Sequence, residues 1–388
     1  METICIIPAR GGSKGIPGKN IMLFCGKPLL AWSILQAKQA KTINAVYVTS
    51  DDATILRVAE DFGAIPIRRP DELSTDTATS EAALLHALDN IEKGKAAKID
   101  LVVFLQATSP LRESEDIDGA VQKLIDENAD SLFSYTCQPN NRVWQKTEEG
   151  MKSHNYDYNH RPRRQDAQFQ YVENGSIYLF RPNILRTTNN RLAGHIAIYE
   201  MDSWKTCQID CQEDKVICEW YFMNKLMKRS MNLMPTSIEL IVYDFDGVMT
   251  DNRVLTLQDS TEAVFANRSD GLAVKMIKEM GIKQVIISSE TNPVVKVRAK
   301  KLRIDCLQGS GDKLDILKYY MNKNNIDKNK VVFIGNDIND ITAMSYVGFP
   351  VAPTDAYAEI RNISKLVLKT RGGHGVVREF YEYIKEDI

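Results

Sequence analysis

The stretch that decides the fold of the C-terminal half is LIVYDFDGVMTD, at residues 240–251. Its first four residues are apolar, and the turn-forming sequence Asp-Phe-Asp-Gly follows, which predicts a buried strand ending at Tyr243. Two carboxylates, Asp244 and Asp246, come directly after this strand. Because ligands of parallel α/β sheets bind at the carboxyl ends of strands, both acids are candidates for a functional site.

A second acidic cluster follows another predicted strand. The sequence FIGNDINDITAM at residues 333–344 contains Asp337 and Asp340, while Ser288 ends the strand VIIS and Lys313 lies in GSGDKLDILK. These residue types suit Mg²⁺-dependent phosphate chemistry. One carboxylate forms an aspartyl phosphate, a second acts as acid and base, and the metal and the lysine offset negative charge.

Strand-like and helix-like segments alternate in both halves of the chain. The chain has 388 residues, which favours two domains over one core. Buried strands separated by helices predict α/β domains with parallel sheets. The predicted strands are Thr3–Ile7, Ala45–Thr49, Leu101–Leu105, Ser131–Tyr135, Leu240–Tyr243, Gln284–Ile287 and Val331–Ile334; the predicted helices are Leu29–Ala40, Leu272–Met280 and Pro293–Leu302. The predicted divisions are an N-terminal domain at 1–230, a linker at 231–237 and a C-terminal domain at 238–388.

Glycines and cations follow the first predicted strand in METICIIPARGGSKGIPGKN, residues 1–20. This composition predicts a phosphate-binding loop, but not a P-loop, because Ser13 and Asn20 occupy the positions of the first glycine and of the hydroxyl residue. Glycines let backbone N–H groups approach phosphates, and Arg10 and Lys19 can neutralise them. The polar segments after Pro8, Ser50 and Gln106 are expected to face one crevice.

The composition excludes several classes of protein. The formal charge is −2, with 44% hydrophobic and 26% charged residues, so neither nucleic acid nor a membrane is an expected partner. The sequence has no long apolar run and no signal-peptide pattern. The seven cysteines form no Cys-x-x-Cys pair, which favours reduced thiols in a cytoplasmic protein.

From about Glu239 to the C-terminus the sequence resembles the haloacid dehalogenase-type phosphatases. It is closest to the capless group that cleaves phosphate from sugar acids such as Kdo 8-phosphate. The resemblance implies that Asp244 is the nucleophile, Asp246 the general acid and base, and Ser288 and Lys313 the phosphoryl-binding residues. It also implies a magnesium site; its ligands are Asp244, Asp337 and the carbonyl of Asp246, with Asp340 as a supporting carboxylate.

The segment SSETNPVVKVRAKKL, residues 288–302, is similar to the nonulosonate-phosphate members of that group. The similarity implies that Glu290, Arg298 and Lys301 contact the sugar acid; the alternative is a solvated charged helix face. The segment ANRSDGLA, residues 266–273, matches a further motif with a structural or substrate-contact role. A neighbouring subunit closes the site in such proteins, which implies a tetramer through this domain.

Four motifs of the first half resemble the N-acylneuraminate cytidylyltransferases over about residues 4–221. They are IIPARGGSKGIPGKN (6–20), RRPDELSTDTATS (68–80), FLQATSPLR (104–112) and VENGSIY (172–178). The resemblance implies a Rossmann-like, GT-A-like nucleotidyltransferase domain. Its reaction is attack by the 2-hydroxyl of a nonulosonic acid on the α-phosphate of CTP, which gives the CMP-sugar and pyrophosphate.

The same resemblance assigns binding residues in the N-terminal domain. Arg10 and Lys19 hold the triphosphate, and Lys19 also stabilises charge during transfer. The implied cytosine contacts are Asn20, Arg69 and Ser80; the implied sugar-acid contacts are Gln106, Arg164 and Tyr178. Arg164 is the expected partner of the sugar carboxylate, with the adjacent Arg163 as the alternative.

Two features depart from the cytidylyltransferase pattern. In TCQIDCQED, residues 206–214, Asp210 occupies one magnesium-ligand position, but Gln208 replaces the second acid. Either the metal relies on phosphate oxygens or Asp214 assists. In NNRLAGHIAIYEM, residues 189–201, there is no Phe pair of the kind that a dimer partner offers to the N-acyl group. KDN or another nonulosonate is therefore a candidate substrate in addition to N-acetylneuraminate.

Three hypotheses follow for the whole chain. The leading one is a bifunctional, Mg²⁺-dependent homo-oligomer, a dimer through the N-terminal domain, that releases a nonulosonic acid from its 9-phosphate and activates it with CTP. The second makes the C-terminal domain a non-catalytic oligomerisation module; the retained Asp244, Asp246, Lys313 and Asp337 argue against it. The third is Kdo activation with Kdo 8-phosphate phosphatase activity, against which the Gly-Ile-Pro-Gly-Lys-Asn sequence at 15–20 argues.

Overall fold

The computed structural model divides into two compact units. The N-terminal unit contains Met1–Phe24 and Pro28–Leu226, and the C-terminal unit contains Cys25–Lys27 and Met227–Ile388. The structure describes residues 1–12, 15–75, 77–94, 98–139, 142–161, 163, 169–227, 237–259, 261–309 and 311–385. Most of the predicted linker at 231–237 therefore lies outside the described residues. In the described part of the chain, no helix has the length and apolarity needed to cross a membrane.

The strands follow the apolar runs of the sequence. In the N-terminal unit they are β1 (Thr3–Pro8), β2 (Leu23–Phe24), β3 (Lys27–Pro28, whose Lys27 belongs to the other unit), β4 (Ala45–Ser50), β5 (Ile65–Arg68), β6 (Leu101–Leu105), β7 (Ser131–Pro139), β8 (Trp144–Thr147), β9 (Gly150–Ser153), β10 (Phe169–Phe180) and β11 (Ile196–Glu200). In the C-terminal unit they are β12 (Leu240–Tyr243), β13 (Thr250–Thr256), β14 (Glu262–Ala266), β15 (Lys283–Ser288), β16 (Asp305–Gln308), β17 (Val331–Ile334), β18 (Phe349–Ala352) and β19 (Leu366–Val367).

The helices lie between these strands. They are α1 (Leu29–Gln39), α2 (Ala53–Asp61), α3 (Ser80–Gly94), α4 (Ser114–Asp126), α5 (Pro182–Thr188), α6 (Gln212–Tyr221), α7 (Arg268–Glu279), α8 (Val294–Leu302), α9 (Lys313–Asn324), α10 (Ile341–Tyr346), α11 (Ala358–Ile363) and α12 (Val376–Ile384). Short 3-10 turns include Lys19–Ile21 and Ile338–Asp340. Helix α7 begins four residues earlier than predicted, because the Asn267 side chain accepts the N–H of Ser269 and caps the helix there.

The large sheet of the N-terminal unit has seven strands in the order β11-β7-β10-β6-β1-β4-β5. Strands β6, β1, β4 and β5 are parallel, as predicted, but β10 runs antiparallel to β6 and β7. Within the described residues, the predicted parallel sheet thus contains one antiparallel strand, β10. The described residues between β7 and β10 form the hairpin β8–β9 instead of a crossover helix, and the chain returns in the opposite direction.

Alternate residues of β1 enter two different hydrophobic layers. Cys5 and Ile7 belong to a cluster that includes residues of α1, α2 and α4, whereas Ile4 and Ile6 belong to a cluster with residues of α3. All four side chains are fully buried. The strand alternates its side chains between the two faces of the sheet, so this sheet is covered on both sides and its ligand-accessible edge is the one where the parallel strands end.

The C-terminal unit contains a parallel six-stranded sheet in the order β16-β15-β12-β17-β18-β19. Strand β12 lies between β15 and β17, and Tyr243 pairs with Ile286 on one side and Ile334 on the other. The segments after these three strands carry Asp244, Ser288 and Asp337. Parallel neighbours bring these segments to one edge of the sheet.

Candidate active sites

The loop after β1 is held together by its own polar groups. Asn20 is 7% exposed, and its Nδ2 donates to the main-chain oxygen of Arg10 at 2.9 Å. Gly15 lies against the segment that carries Asp210, since a Cβ at Gly15 would be 2.2 Å from the Asp210 main-chain oxygen. Gly18 adopts a left-handed φ of 63° before the Lys19–Ile21 turn. The Asn20 amide, predicted to contact cytosine, therefore closes the loop with its N–H group.

Lys19 and Asp210 form an ion pair across 191 residues of sequence. The Lys19 Nζ lies 2.9 Å from Asp210 Oδ1. The lysine side chain is 13% exposed and the aspartate side chain 73% exposed. The pair places the predicted triphosphate-binding cation next to the predicted magnesium ligand of the same unit.

Arg10, which follows β1, and Arg69, which follows β5, are close enough for their charges to interact. Arg10 Nη1 donates to the main-chain oxygen of Thr75 at 3.3 Å. Arg69 is 4% exposed; its Nε donates to Ser74 Oγ at 2.9 Å, and its Nη2 lies 3.6 Å from Asp51 Oδ1. Burial lowers the pKa of Arg69, Asp51 opposes this shift, and the charge of Arg10 adds to it. Two adjacent guanidinium groups favour an anion such as a phosphate.

The side chains of Gln106 and Gln208 meet over a glycine. Gly175 has a φ of 65°, and a Cβ there would lie 2.2 Å from Gln208 Nε2 and 3.3 Å from Gln106 Oε1. Gln208 Nε2 donates to the main-chain oxygen of Asn174 at 2.8 Å. The Gln208 amide thus fixes the turn at Asn174 and Gly175 with its N–H group, which leaves its oxygen as the atom for any ligand.

Asp214, the alternative magnesium ligand, caps helix α6. Its Oδ2 accepts the N–H groups of Asp210 and Cys211, each at 2.9 Å. The hydrogen bond from the Asp210 N–H is the first cause of a lowered pKa of Asp214. One oxygen of Asp214 is therefore committed to the start of the helix.

Tyr178 is a buried residue of β10. It is 3% exposed, and its hydroxyl donates to Glu173 Oε1. Its ring stacks on Phe104 with centroids 5.4 Å apart, and the Arg191 guanidinium carbon lies 4.4 Å from the Tyr178 ring centroid. Arg191 in turn pairs with Glu81 at 2.7 Å. Glu173, which accepts the hydrogen bond of the Tyr178 hydroxyl, is exposed, so this hydroxyl is already engaged by a carboxylate.

Ser80 and Arg164 complete the predicted residues of the N-terminal unit. Ser80 is exposed at the first position of α3, and Arg164 lies outside the described residues. Sequence reasoning missed Asp51 and Arg191. Asp51 follows a buried strand, as the assigned acids do, and that position was an available signal. No sequence pattern indicates that Arg191 lies against Tyr178.

In the C-terminal unit, Lys313 lies between two carboxylates. Its Nζ is 2.8 Å from Asp244 Oδ1 and 2.7 Å from Asp340 Oδ1. Their side chains are 2%, 6% and 0% exposed, in the order Lys313, Asp244 and Asp340. Burial raises the pKa of Asp244, the charge of Asp340 adds to that shift, and Lys313 opposes it. Burial opposes the charge of Lys313, but the two carboxylates outweigh it and raise the lysine pKa.

Asp246 has a different environment from Asp244. Thr250 Oγ1 donates to Asp246 Oδ1 at 3.2 Å. Burial raises the pKa of Asp246, Thr250 opposes the shift, and the negative charge of Glu290 adds to it. A carboxyl group whose pKa is raised can hold a proton nearer neutral pH, which suits a general acid and base.

A cavity of about 280 Å³ brings most of the predicted phosphatase residues together. Its lining consists of Asp244, Asp246, Ser288, Ser289, Glu290, Thr291, Lys313 and Asn339. Ser288 is 2% exposed, and its Oγ accepts the N–H of Glu290 at 3.1 Å. Sequence reasoning missed Ser289, Thr291 and Asn339. Their positions directly beside assigned residues of the same loops were the available signal.

Asp337 follows β17 and starts the 3-10 turn Ile338–Asp340, where its Oδ1 accepts the N–H of Ile338 at 2.6 Å. Its neighbour Asn336 lies against Gly247, since a Cβ at Gly247 would be 1.8 Å from Asn336 Nδ2. Within the described residues no three His, Cys, Asp or Glu side chains group to hold a metal. The predicted set needs two carboxylates and one main-chain carbonyl, and these hard oxygen donors fit Mg²⁺ chemically.

Two of the predicted sugar contacts lie outside the cavity of this chain. Arg298 Nη2 donates to the main-chain oxygen of Asn267 at 2.9 Å, and Lys301 is exposed near the end of α8. Neither lines the cavity. Asp270, from the ANRSDGLA motif, is 2% exposed, and its Oδ1 accepts the N–H of Arg378 at 3.0 Å. This bond gives Asp270 a structural role at the start of α12.

The two folds and their sites define a protein with a nucleotidyltransferase-type unit followed by a haloacid dehalogenase-like unit. The cytidylyltransferase family matches residues 4–231, and the family of haloacid dehalogenase-like hydrolases matches residues 207–380. A curated relative, N-acylneuraminate cytidylyltransferase A of Danio rerio, is 31% identical over 395 residues, which cover 98% of this chain and 87% of the relative. The chain belongs to the N-acylneuraminate cytidylyltransferase family.

Two further proteins are similar to one unit each. Pseudaminic acid cytidylyltransferase of Campylobacter jejuni is 32% identical over 226 residues, covering 55% of this chain and 93% of the relative. The solved 3-deoxy-D-manno-octulosonate 8-phosphate phosphatase of Moraxella catarrhalis is 30% identical and covers 42% of this chain and 92% of its own, with a TM-score of 0.40. The family matches confirm the predicted fusion of a cytidylyltransferase to a haloacid dehalogenase-type domain.

Proposed function

We propose that the chain catalyses two successive reactions at two separate sites. The C-terminal unit hydrolyses a nonulosonate 9-phosphate, and the N-terminal unit transfers CMP from CTP to the released sialic- or KDN-type acid. One observation carries this proposal: in each unit a shielded lysine contacts a carboxylate in the predicted site, Lys19 with Asp210 and Lys313 with Asp244. A non-catalytic C-terminal module has no need for the buried Lys313 arrangement, which costs desolvation free energy.

In the N-terminal unit, positioning and charge stabilisation account for the transfer. Arg10, Arg69 and Lys19 neutralise the triphosphate of CTP, and the glycine loop offers backbone N–H groups. Gln106 orients the sugar acid, and Arg164 pairs with its carboxylate. The 2-hydroxyl then attacks the α-phosphate in line with the leaving pyrophosphate. Lys19 stabilises the charge that develops on the transferred phosphate.

In the C-terminal unit, two carboxylates share the work of hydrolysis. Asp244 attacks the phosphorus and forms an aspartyl phosphate, while Asp246 donates a proton to the leaving sugar oxygen. Asp246 then takes a proton from the water that cleaves the aspartyl phosphate and releases inorganic phosphate. Ser288 and Lys313 hold the phosphoryl oxygens, and Asp340 holds Lys313 in place. The raised pKa of Asp246 supports its role as the proton donor.

Both sites are expected to bind Mg²⁺. Asp210 is the protein ligand proposed in the N-terminal unit, where phosphate oxygens of CTP would supply further donors. The Gln208 oxygen and the second oxygen of Asp214 are further side-chain acceptors on the same segment. In the C-terminal unit the ligands are Asp244, Asp337 and the carbonyl of Asp246. The ion supplies charge neutralisation at the phosphoryl group in each case.

The C-terminal unit is proposed to form a tetramer whose neighbouring subunit closes the phosphatase cavity. The ribbon β13–β14 supports this proposal, because Val254, Leu255 and Phe265 are 52%, 52% and 69% exposed. Adjacent exposed apolar side chains favour burial in an interface. Asn292 Nδ2 also donates to Glu262 Oε2 at 2.9 Å, which ties this ribbon to the loop next to the cavity. The N-terminal unit is proposed to form a dimer.

A product assay tests the proposed function. Purified protein is incubated with CTP, Mg²⁺ and a panel of nonulosonic acids, their 9-phosphates, Kdo and Kdo 8-phosphate, and products are identified by mass. We expect CMP-nonulosonate from the free acids and inorganic phosphate from the 9-phosphates, and loss of both in EDTA. If none of the nonulosonate phosphates releases inorganic phosphate, the proposed phosphatase activity is refuted. If Kdo and Kdo 8-phosphate are the preferred substrates, the Kdo alternative is correct.

Matched variants separate the two sites. Lys123→Ala is the control for Lys19→Ala, since Lys123 forms an exposed pair with Glu127 at 2.7 Å in the same unit. Glu239→Gln is the control for Asp244→Asn, because Glu239 precedes the same strand and pairs with Lys330 at 2.7 Å. Both controls are expected to keep both activities within about twofold of wild type, as exposed pairs contribute little.

A further inference from the structure

Arg112 is a fully buried cation that contacts the segment carrying Gln106. It is 1% exposed. Its Nη2 donates to the main-chain oxygens of Gln106 and Ser109, the latter at 2.6 Å. Its Nε lies 3.3 Å from Ser176 Oγ, and its Nη2 lies 3.3 Å from Ser33 Oγ. One side chain thus joins the loop after β6 to β10 and to α1.

Oxygens of neutral groups, and not a carboxylate, surround this guanidinium. Among the described residues, no Asp or Glu oxygen forms an ion pair with Arg112 within 4.0 Å. Burial lowers the pKa of Arg112 to about 10, with Cys5 and Asp116 opposing the shift. Burial of a cation is unfavourable unless hydrogen bonds compensate for the lost hydration. The compensation here comes from main-chain carbonyls, whose positions are therefore coupled to the guanidinium.

The same loop is hydrogen-bonded to the Gly175 turn and to the segment that carries Asp210. Ser109 Oγ donates to the main-chain oxygen of Gly175 at 3.4 Å. The N–H of Ile209 donates to the main-chain oxygen of Thr108 at 2.9 Å. Gly175 is the residue over which the Gln106 and Gln208 side chains meet. The loop 106–112 consequently sets the position of Gln106 relative to the Gly175 turn and to the segment that precedes Asp210.

We propose that Arg112 is a positioning residue for the sugar-acid half of the cytidylyl-transfer site. Its guanidinium fixes the carbonyls of Gln106 and Ser109 and thereby holds the Gln106 side chain beside the Gly175 turn, where it would contact the sugar acid. This inference rests on the proposed function, and it assigns Arg112 no contact with substrate. The planar fork of arginine holds two carbonyls and two hydroxyls at once, and the single ammonium of lysine cannot reproduce that geometry.

The positioning role predicts a specific change in kinetics. Arg112→Lys and Arg112→Met are expected to raise the KM for the sugar acid about tenfold or more, because a displaced Gln106 loses its contact with the bound sugar acid in the ground state as well as in the transition state. The KM for CTP is expected to stay within about twofold, since Asn20 and Arg10 close the nucleotide loop without Arg112. A merely structural role lowers the active fraction and changes neither KM.

A double-mutant cycle tests the route through Gln106. In a Gln106→Ala background the side chain that Arg112 aims is missing, so Arg112→Lys is expected to change the sugar KM by less than about twofold. Additive effects of the two substitutions overturn the proposal. Ser176→Ala keeps the guanidinium but removes one partner, and it is expected to raise the sugar KM in the same direction by a smaller factor. This variant keeps the proposal testable if the Arg112 variants fail to fold.

Two controls separate failure of this inference from failure of the proposed function. Lys205→Met removes another buried cation, which is 4% exposed and pairs with Glu113 and Asp116, each at 2.7 Å; it is expected to lower stability without changing either KM. Phosphate release by each variant shows whether its C-terminal unit is still folded and active. Wild-type protein that makes no CMP-sugar refutes the proposed function. Active wild type with an unchanged sugar KM in Arg112→Lys and Ser176→Ala refutes this inference.

Discussion

Lys313 and Asp244 form an ion pair of 2.8 Å inside the cavity, and the same ammonium lies 2.7 Å from Asp340. The lysine is therefore shared by the candidate nucleophile and by a fully buried carboxylate. Asp340 Oδ2 also accepts the N–H of Asn336 at 2.9 Å, so the second carboxylate is anchored to the loop after β17. This arrangement fixes Lys313 where a phosphoryl group attached to Asp244 would carry its negative charge.

Replacement of Lys313 is expected to destabilise the C-terminal unit strongly. Lys313→Met leaves two buried carboxylates without their cation, and loss of one partner of such a pair costs about 3–5 kcal/mol in the free energy of unfolding. Urea unfolding followed by a probe in the C-terminal unit measures this loss. Lys330→Met is the control, because its side chain is 40% exposed and its pair with Glu239 contributes about 1 kcal/mol or less. Equal losses in the two variants contradict the prediction.

The stability of the C-terminal unit is expected to depend on pH through Asp270. Burial raises the pKa of Asp270 from 3.8 to about 6, while the charge of Arg298 opposes the shift. The folded state then binds the proton more tightly than the unfolded state. Between about pH 4 and about pH 6 the free energy of unfolding therefore falls as pH rises, by about 1.4 kcal/mol per pH unit at most.

Asp270→Asn tests this pH dependence, since asparagine keeps the oxygen that accepts the Arg378 N–H but cannot ionise. Urea unfolding of both proteins from pH 4 to pH 8 gives the comparison. The difference between wild type and variant is expected to change across the acidic range and to be constant above about pH 7. A difference that is constant over the whole range shows that folding does not shift the pKa of Asp270.

Gly15 is expected to be essential for CMP transfer, whereas Gly12 is not. A Cβ at Gly15 would lie 2.2 Å from the Asp210 main-chain oxygen, while a Cβ at Gly12 meets no atom of the described residues within 4 Å. Gly15→Ala must shift the loop relative to Asp210, and a displacement of about 1 Å at a site costs about 100-fold in rate. We expect that loss in kcat/KM for CMP transfer, with unchanged phosphate release. Gly12→Ala is the matched control, and similar losses in both variants contradict the account.

Alanine substitutions at Gly247 and Gly281 distinguish the cost of backbone strain from the cost of a steric clash. Both have a left-handed φ, 79° and 81°, but their surroundings differ. A Cβ at Gly247 would lie 1.8 Å from Asn336 Nδ2, whereas a Cβ at Gly281 would meet no atom of the described part of the chain within 4 Å. Gly281→Ala is expected to cost about 1–2 kcal/mol in unfolding free energy from strain alone. Gly247→Ala is expected to cost more and to lower phosphate release, because it displaces the loop of Asp337. If both variants lose the same unfolding free energy and Gly247→Ala releases phosphate at the wild-type rate, Asn336 moves aside without cost and the prediction is wrong.

Much of the fold was predictable because short apolar runs identify buried strands. Strands β6, β12 and β17 have the predicted bounds, and Asp244, Asp246, Ser288, Glu290 and Lys313 line one cavity because polar residues after neighbouring parallel strands meet at one edge. The direction of β10 was not predictable. Local patterns of hydrophobicity identify a strand but not the orientation in which it pairs.

Contacts between residues distant in sequence account for most of what sequence reasoning missed. Lys19 and Asp210 are 191 residues apart, and nothing local to either indicates their ion pair. Arg112 has the appearance of an ordinary loop cation, since its buried surroundings come from segments near Ser33 and Ser176. The amide of Asn20 closes its own loop, which competes with the predicted cytosine contact. Residue type indicates the possible chemistry, but tertiary packing decides which atoms remain for a ligand.

The central claim of two independent sites is tested by a single reaction containing a nonulosonate 9-phosphate, CTP and Mg²⁺, with products identified by mass. Wild type is expected to give the CMP-sugar and inorganic phosphate. Lys19→Ala is expected to stop at the free acid, and Asp244→Asn to leave the 9-phosphate intact while still converting added free acid to the CMP-sugar. If either folded variant loses both activities, the two-site account is wrong.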